Sequence, residues 1–206
     1  MIEQHKESLM EKELLELMHT EQEFENLKSQ VNPHFLFNCF NTLSSLISED
    51  KQMADKFLNE LSKVYRYVLN TNQSDLISFR QEIRFIGSYM ALLHTRYGKG
   101  LHVNIMIDEV YYDYFIPAMS LQLLVENAVK HNIVSKKEPL CLEIYTTSED
   151  TLMICNNLQL KQRKEISTGI GLKNIRSKYL LLKEPGFKWD IIDDKFVVDL
   201  PLLIKN

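Results

Sequence analysis

The chain has 206 residues, with 24 lysines and arginines against 28 aspartates and glutamates, for a net charge of −4. That length holds one large or two small domains, each able to bury a core, and the charge balance excludes the basic footprint of a nucleic-acid binder. Three cysteines (Cys39, Cys141, Cys155) sit in apolar surroundings without CxxC spacing, which reads as buried thiols in a reducing, cytoplasmic compartment and not as a disulfide frame or zinc site.

No stretch approaches the roughly 20 apolar residues of a spanning helix, and no signal peptide opens the sequence. Any membrane anchor of a full-length protein is therefore expected outside it. Residues 1–30 are rich in Glu, Lys, Leu and Met and lack Gly and Pro. Leu14, Leu17, Phe24 and Val31 mark an apolar seam that Glu21 and Lys28 interrupt, the pattern of either a signal-transmitting helix or a plain dimerisation helix. Pro33 lacks the N–H that would bond the carbonyl of Ser29, so the turn before His34 is loosened. From there a very apolar helix runs to about Ile47, broken only by a polar stripe of His34, Asn38, Asn41 and Ser45 at helical spacing.

A polar connection at 48–51 precedes a second amphipathic helix with Ala54, Phe57, Leu58, Leu61, Val64, Tyr65 and Val68 on one face. It ends in the turn-prone run Asn70-Thr71-Asn72-Gln73-Ser74. Two such helices share too little core to stand alone, and a second copy completing a four-helix bundle is the expected solution. Beyond Asp75 the pattern predicts a helix over 80–97, a strand over 101–107 and a helix over 118–131. A hairpin of 140–146 with 151–155 follows, then a polar run over 156–168, a helix over 169–182 and a closing hairpin of 188–192 with 195–200. Grouped strands with intervening helices imply an α+β layer, helices on one face of a mixed sheet.

Three motifs stand in order along this chain: Asn32-Pro33-His34-Phe35-Leu36-Phe37-Asn38, Glu126-Asn127-Ala128-Val129-Lys130-His131, and Gly169-Ile170-Gly171-Leu172. With them the chain, from about Leu27 to Leu203, resembles the cytoplasmic part of LytS/YesM-type sensor histidine kinases, whose ATP-binding domain is of the GHKL (Bergerat) class. The resemblance implies a dimeric helical hairpin followed by a GHKL α/β sandwich. It also implies three parts: a signalling helix over 1–30, a dimerisation and histidine phosphotransfer hairpin over 31–74, and an ATP-binding catalytic domain over 75–206.

It further implies an ATP-dependent autophosphorylating kinase that passes phosphate from His34 to an aspartate of a response regulator, often of the LytTR type, with no direct contact to nucleic acid. The full protein would be a homodimer anchored in the membrane through a segment outside this sequence. Asn127 matches the asparagine that holds Mg²⁺, a hard cation with oxygen ligands. Lys130 lies one turn on to meet phosphate oxygens, with His131 and Asn132 as further donors. Glu126 serves as a polarising carboxylate or pairs with a nearby base. Gly169, Gly171 and Leu172 match a loop-to-helix turn where backbone approaches phosphate, and Lys161, Arg163 and Lys164 lie in a loop that would close over ATP. His34 is the expected phosphoacceptor, a neutral nucleophilic ring near pH 7, and Asn38 the residue that positions water or bonds the acceptor region. His5, His19, His94 and His102 have no matching context.

The chain departs from the GHKL pattern where an Asp-x-Gly-x-Gly box is expected. Cys155-Asn156-Asn157-Leu158-Gln159-Leu160 stands there, so Asn156 takes the place of the adenine-binding aspartate and the glycines are missing. A neutral hydrogen bond contributes roughly 0.5 to 1.5 kcal/mol where a charge-assisted one contributes about 1.5 to 3. The rival reading is accordingly a dimeric signalling scaffold that has lost productive ATP binding.

Overall fold

The computed structural model describes residues 33–71, 76–161 and 170–204. The seam expected over 1–30, together with Gly169, Arg163 and Lys164, lies outside them. Helix α1, Pro33–Glu49, begins on the proline, which suits a first helical position because its missing N–H would have had no partner there. Helix α2, Lys51–Asn70, follows after Asp50, whose carboxylate accepts the Met53 N–H at 3.0 Å and caps the first turn. Its buried face is Ala54, Phe57, Leu61, Val64 and Val68, while Leu58 of the expected stripe is exposed.

The chain divides into two compact units, 1–45 and 46–206. In the second, α2 packs along helix α3, Phe79–Tyr97, where Tyr67 stacks on Phe85 with ring centroids 4.1 Å apart. After α3 come β2 (Leu101–Met106), a short 3₁₀ turn, β3 (Phe115–Pro117), α4 (Ser120–His131), β4 (Leu140–Thr146), β5 (Thr151–Asn157), α5 (Ile170–Leu181), β6 (Lys188–Ile192) and β7 (Lys195–Pro201). A strand β1, Leu76–Ser78, pairs antiparallel with β3 as a two-stranded ribbon.

The other strands form one sheet in the order β2-β4-β5-β7-β6, parallel only between β2 and β4. A parallel pair cannot be joined by a tight turn, so the chain crosses over between these strands, and α4 is the helix of that crossover. Alternation sorts the faces. Leu140, Leu142 and Ile144 of β4 are buried with Leu152, Ile154, Val198 and Leu200. Glu143 and Lys195 meet on the other face at 3.0 Å. Phe79, Ile86, Tyr89, Leu121, Val125, Ile175 and Tyr179, all nearly inaccessible, supply the helical side of the core.

Among the described residues the helices and hairpins expected from periodicity are present, with three differences. The β1–β3 ribbon was not expected, because three-residue strands are too short to display a period of two. Strand β5 runs on to Asn157, which puts Asn156 inside the sheet, buried, and not in a loop. Helix α4 starts at Ser120, since Met119 takes a left-handed conformation (φ 63°) that ends the preceding segment sharply.

The β6–β7 turn offers a test. Asp193 and Asp194 both have positive φ, 49° and 58°, in a two-residue hairpin flanked by the Ile192–Lys195 pair. Such turns prefer Asn-Gly. Replacing Asp193-Asp194 with Asn-Gly should raise unfolding stability by about 0.5 to 1 kcal/mol, read as a higher urea midpoint at unchanged slope.

Candidate functional site

Helix α4 places Asn127 and Lys130 three residues apart, on one face. Asn127 is half-buried and makes no side-chain hydrogen bond among the described residues; Lys130 is exposed and has no ion pair there. The start of α5 lies over Asn127. A Cβ on Gly171 would fall 3.1 Å from the Asn127 amide nitrogen and 3.5 Å from its oxygen, so only glycine lets the two helices approach this closely without displacing the amide. Leu172 is half-buried beside it. Glu126, next to Asn127, accepts hydrogen bonds on one oxygen from the Tyr89 hydroxyl (3.1 Å) and the Gln122 amide (2.9 Å).

Beyond α4 the chain is strapped to the segment that leaves β5. Asn132, expected as a ligand donor, is buried and uses both ends of its amide inside the protein: the NH₂ donates to the Ala128 carbonyl at 2.9 Å and the oxygen accepts the Gln159 N–H at 2.8 Å. The Ile133 N–H donates to the Gln159 carbonyl, and the Lys161 N–H to that of His131. Lys161 differs from its expected place in a closing loop. Its ammonium donates to the carbonyls of Val129 (3.2 Å) and Lys130 (2.8 Å), the unpaired acceptors at the helix C-terminus.

Asn156 is buried on strand β5, and its NH₂ donates to the carbonyl of Asn157 at 2.7 Å, which leaves the amide oxygen as its acceptor. Asn157 accepts the Cys141 N–H and donates to the Pro139 carbonyl. Asn156 stands where the aspartate was expected and Leu158 and Leu160 where the glycines were, and the two amides tie the end of the strand to its neighbours.

The sequence reading passed over a buried carboxylate. Glu82 on α3 is fully buried and accepts three hydrogen bonds: from the Tyr67 hydroxyl (2.7 Å), the Met119 N–H (3.3 Å) and the Leu121 N–H (2.9 Å). The last two precede and open α4, where a carboxylate answers unpaired donors and the positive end of the helix dipole. Burial pushes the Glu82 carboxyl above its ordinary range, against the pull of Tyr67, the two amides and the Lys178 charge. Burial likewise raises Tyr67, with the Glu82 charge pushing the same way, and lowers Lys178, against the upward pull of the Glu82 charge. Lys178 on α5 donates to the Ala118 carbonyl at 3.0 Å. The signal in the sequence was a charge at position 82 within the apolar stripe of Phe79, Ile86, Tyr89 and Leu93.

On α1, described by itself, His34 is exposed and the Asn38 amide lies 3.3 Å from Nε2 and 3.4 Å from Nδ1 of its ring. Thr42 donates to the Asn38 carbonyl. Phe37 and Phe40 are exposed alongside, and Cys39 is buried.

Residues 22–101 match the histidine kinase family model. The chain is 38% identical over 115 residues to the sensor protein LytS of Staphylococcus saprophyticus, which is 56% of this chain and 20% of that protein. Against the sensor histidine kinase/phosphatase LytS of Staphylococcus aureus it is 34% identical over 116 residues, with the same coverage. Among solved structures, the histidine kinase AdeS of Acinetobacter baumannii aligns over 83% of this chain and 95% of its own, at 10% identity and a TM-score of 0.44. Over residues 22–101 the chain is thus similar to histidine kinases. It spans about a fifth of the length of the LytS proteins it matches. Among the described residues no helix is long and apolar enough to cross a membrane.

Removing the Asn132 amide as Asn132→Ala leaves the Gln159 N–H without its partner, while the Ala128 carbonyl loses one bond and keeps the backbone N–H of position 132. Chemical denaturation should show a loss of about 1 to 3 kcal/mol, with faster hydrogen exchange at 159–161.

Proposed function

We propose that the chain is the core of an ATP-dependent, autophosphorylating protein-histidine kinase, built from a signalling helix over 1–30, a phosphotransfer hairpin over 31–74 and an ATP-binding domain over 75–206. One observation carries this reading: Asn127 and Lys130, uncommitted among the described residues on one helix face, with Gly171 closing to within contact of the asparagine amide. Phosphoryl transfer needs little covalent help, only a positioned acceptor and charge arranged around the phosphates. Lys130 would balance phosphate charge, and the backbone start of α5 would offer its N–H groups to the same anion.

Mg²⁺ fits this donor set. Among the described residues no cluster of three His, Cys, Asp or Glu side chains could hold a metal by itself, whereas Asn127 presents a single amide oxygen of the kind a cation held mostly by phosphate and water uses. When bound, the ion neutralises charge on the phosphates. Glu126, held by Tyr89 and Gln122, fixes the face that Asn127 presents, and its position beside the metal ligand suits a polarising role. His131 stands at the end of the same helix.

His34 acts through its unprotonated ring nitrogen, which attacks the γ-phosphorus. An N–P bond forms as the bridging P–O bond breaks, the electron pair leaves with ADP, and the other ring nitrogen gives its proton to solvent. Asn38, within reach of both ring nitrogens, orients the imidazole or a water that later attacks the phosphohistidine. The phosphoryl group would pass on to an aspartate of a response regulator, a LytTR-type protein by resemblance. Exposed Phe37, Phe40, Ile47 and Leu58 support a homodimer through the hairpin. The full protein would be held at the membrane by a segment outside this sequence.

The scaffold reading rests on Asn156. Its amide accepts from adenine without a charge, so affinity should depend chiefly on the triphosphate and the metal.

His34→Gln should abolish acid-labile label from γ-labelled ATP while nucleotide binding persists; undiminished labelling removes His34 from the mechanism. In calorimetric titration with Mg·ATP, Asn127→Asp, Lys130→Ala and Gly171→Ala should each weaken binding far more than Asn156→Ala. Asn156→Asp should tighten it by about 1 kcal/mol, the margin between a neutral and a charge-assisted bond. Wild type without heat or label at millimolar nucleotide, both restored by Asn156→Asp, establishes the scaffold. Light scattering at micromolar concentration should give a dimer.

A further inference from the structure

Helix α3 touches α4 at two points. Near its start Glu82 receives the Met119 and Leu121 amides, and two turns later Tyr89 donates to Glu126, the neighbour of Asn127. The spacing of seven residues puts both contacts on one face of α3. On its flank the same helix meets α2 through Tyr67, whose ring stacks on Phe85 at 4.1 Å with planes 16° apart and whose hydroxyl closes the third bond to Glu82. One carboxylate therefore joins α2 to the start of α4.

Its surroundings make that joint sensitive. A buried carboxylate is tolerated only while its acceptor sites are filled, and all the donors bonded to Glu82 come from outside its own helix. Met119, one of them, holds a left-handed φ of 63°, a conformation costly for a side chain with a Cβ, and so needs an external restraint. Losing the Tyr67 donor would leave the carboxylate under-satisfied and free to draw water or shift, and the Met119 turn would follow it.

We infer that Glu82 is a positioning residue for the nucleotide helix α4, and that the Tyr67 hydroxyl makes its setting depend on the position of α2, the second helix of the hairpin. A displacement of α2 along or about its axis separates Tyr67 from Glu82, and the start of α4 then relaxes with Asn127 and Lys130 on it. The inference rests on the reading of those two residues as nucleotide ligands for its functional meaning, but not for its structural content.

The test uses the full chain and two variants. Tyr67→Phe removes one hydroxyl and keeps the stack on Phe85; Glu82→Gln keeps the shape and replaces an acceptor oxygen by a donor. Hydrogen exchange followed by mass spectrometry should show residues 119–131 exchanging about fivefold faster or more in Tyr67→Phe, the low end of the range for coupled sites. Strands β4, β5 and β7 should keep wild-type rates. Glu82→Gln should accelerate the same segment further. Unchanged exchange over 119–131 in Tyr67→Phe overturns the inference, and so does acceleration spread evenly through the sheet, which marks general destabilisation. In parallel, Mg·ATP affinity should fall about fivefold in Tyr67→Phe, and wild-type affinity there is a contrary result. If wild type itself binds no nucleotide, the reading of Asn127 and Lys130 fails, and the exchange rates still decide whether Tyr67 and Glu82 position α4.

Discussion

An ionisable carboxyl without access to water is among the most demanding groups a fold can contain, and the arrangement around Glu82 shows how the demand is met. Two backbone amides and a phenol hydroxyl point at it from two segments distant in sequence, around Tyr67 and around Met119–Leu121. Losing any of these donors would leave a buried carboxylate under-satisfied, so none can leave without cost. The result is a fixed origin for α4. Asn127 and Lys130 are placed by counting helical residues from that origin, and Gly171 is the complementary surface that accepts the placement.

The far end of α4 is fixed by different means. There the unpaired groups are carbonyls, and a lysine answers them: the Lys161 ammonium sits on the last turn while Asn132 ties the following backbone to Gln159. A carboxylate at the positive end and an ammonium at the negative end together oppose the helix dipole at both termini. A helix of 12 residues would be marginal in isolation; held this way it carries polar side chains without needing them for its own packing.

Much of this was visible in the sequence, and the parts that were not share a cause. Helices and strands of five or more residues showed their periods, and contiguous motifs displayed His34, Asn127 and Gly171 because each lies within a short string. Tyr67, Glu82, Leu121 and Lys178 are brought together from separate elements, so no local string contains them. The trace they left was a glutamate out of phase with its helix. Asn132 adjoins a string rich in candidate ligands, and its burial and its bonds to the Ala128 and Gln159 backbone could not be read from that string. Strand β5 concealed Asn156 because polar residues at a strand end look like a loop when their partners, Asn157 with Cys141 and Pro139, are read only in three dimensions.

The β3 strand is completed by a pair of bonds with Leu203, the Phe115 N–H to the Leu203 carbonyl at 2.7 Å and the reverse at 2.9 Å. Phe115 lies just upstream of the Ala118–Leu121 turn, and Leu203 just downstream of the last strand of the sheet. During synthesis, therefore, α4 emerges from the ribosome long before the residues that hold down the segment leading into it. A nascent chain stopped within β7 would possess every side chain of the candidate site and lack the clasp behind it. Vectorial folding therefore places that clasp later than strands β1 to β7.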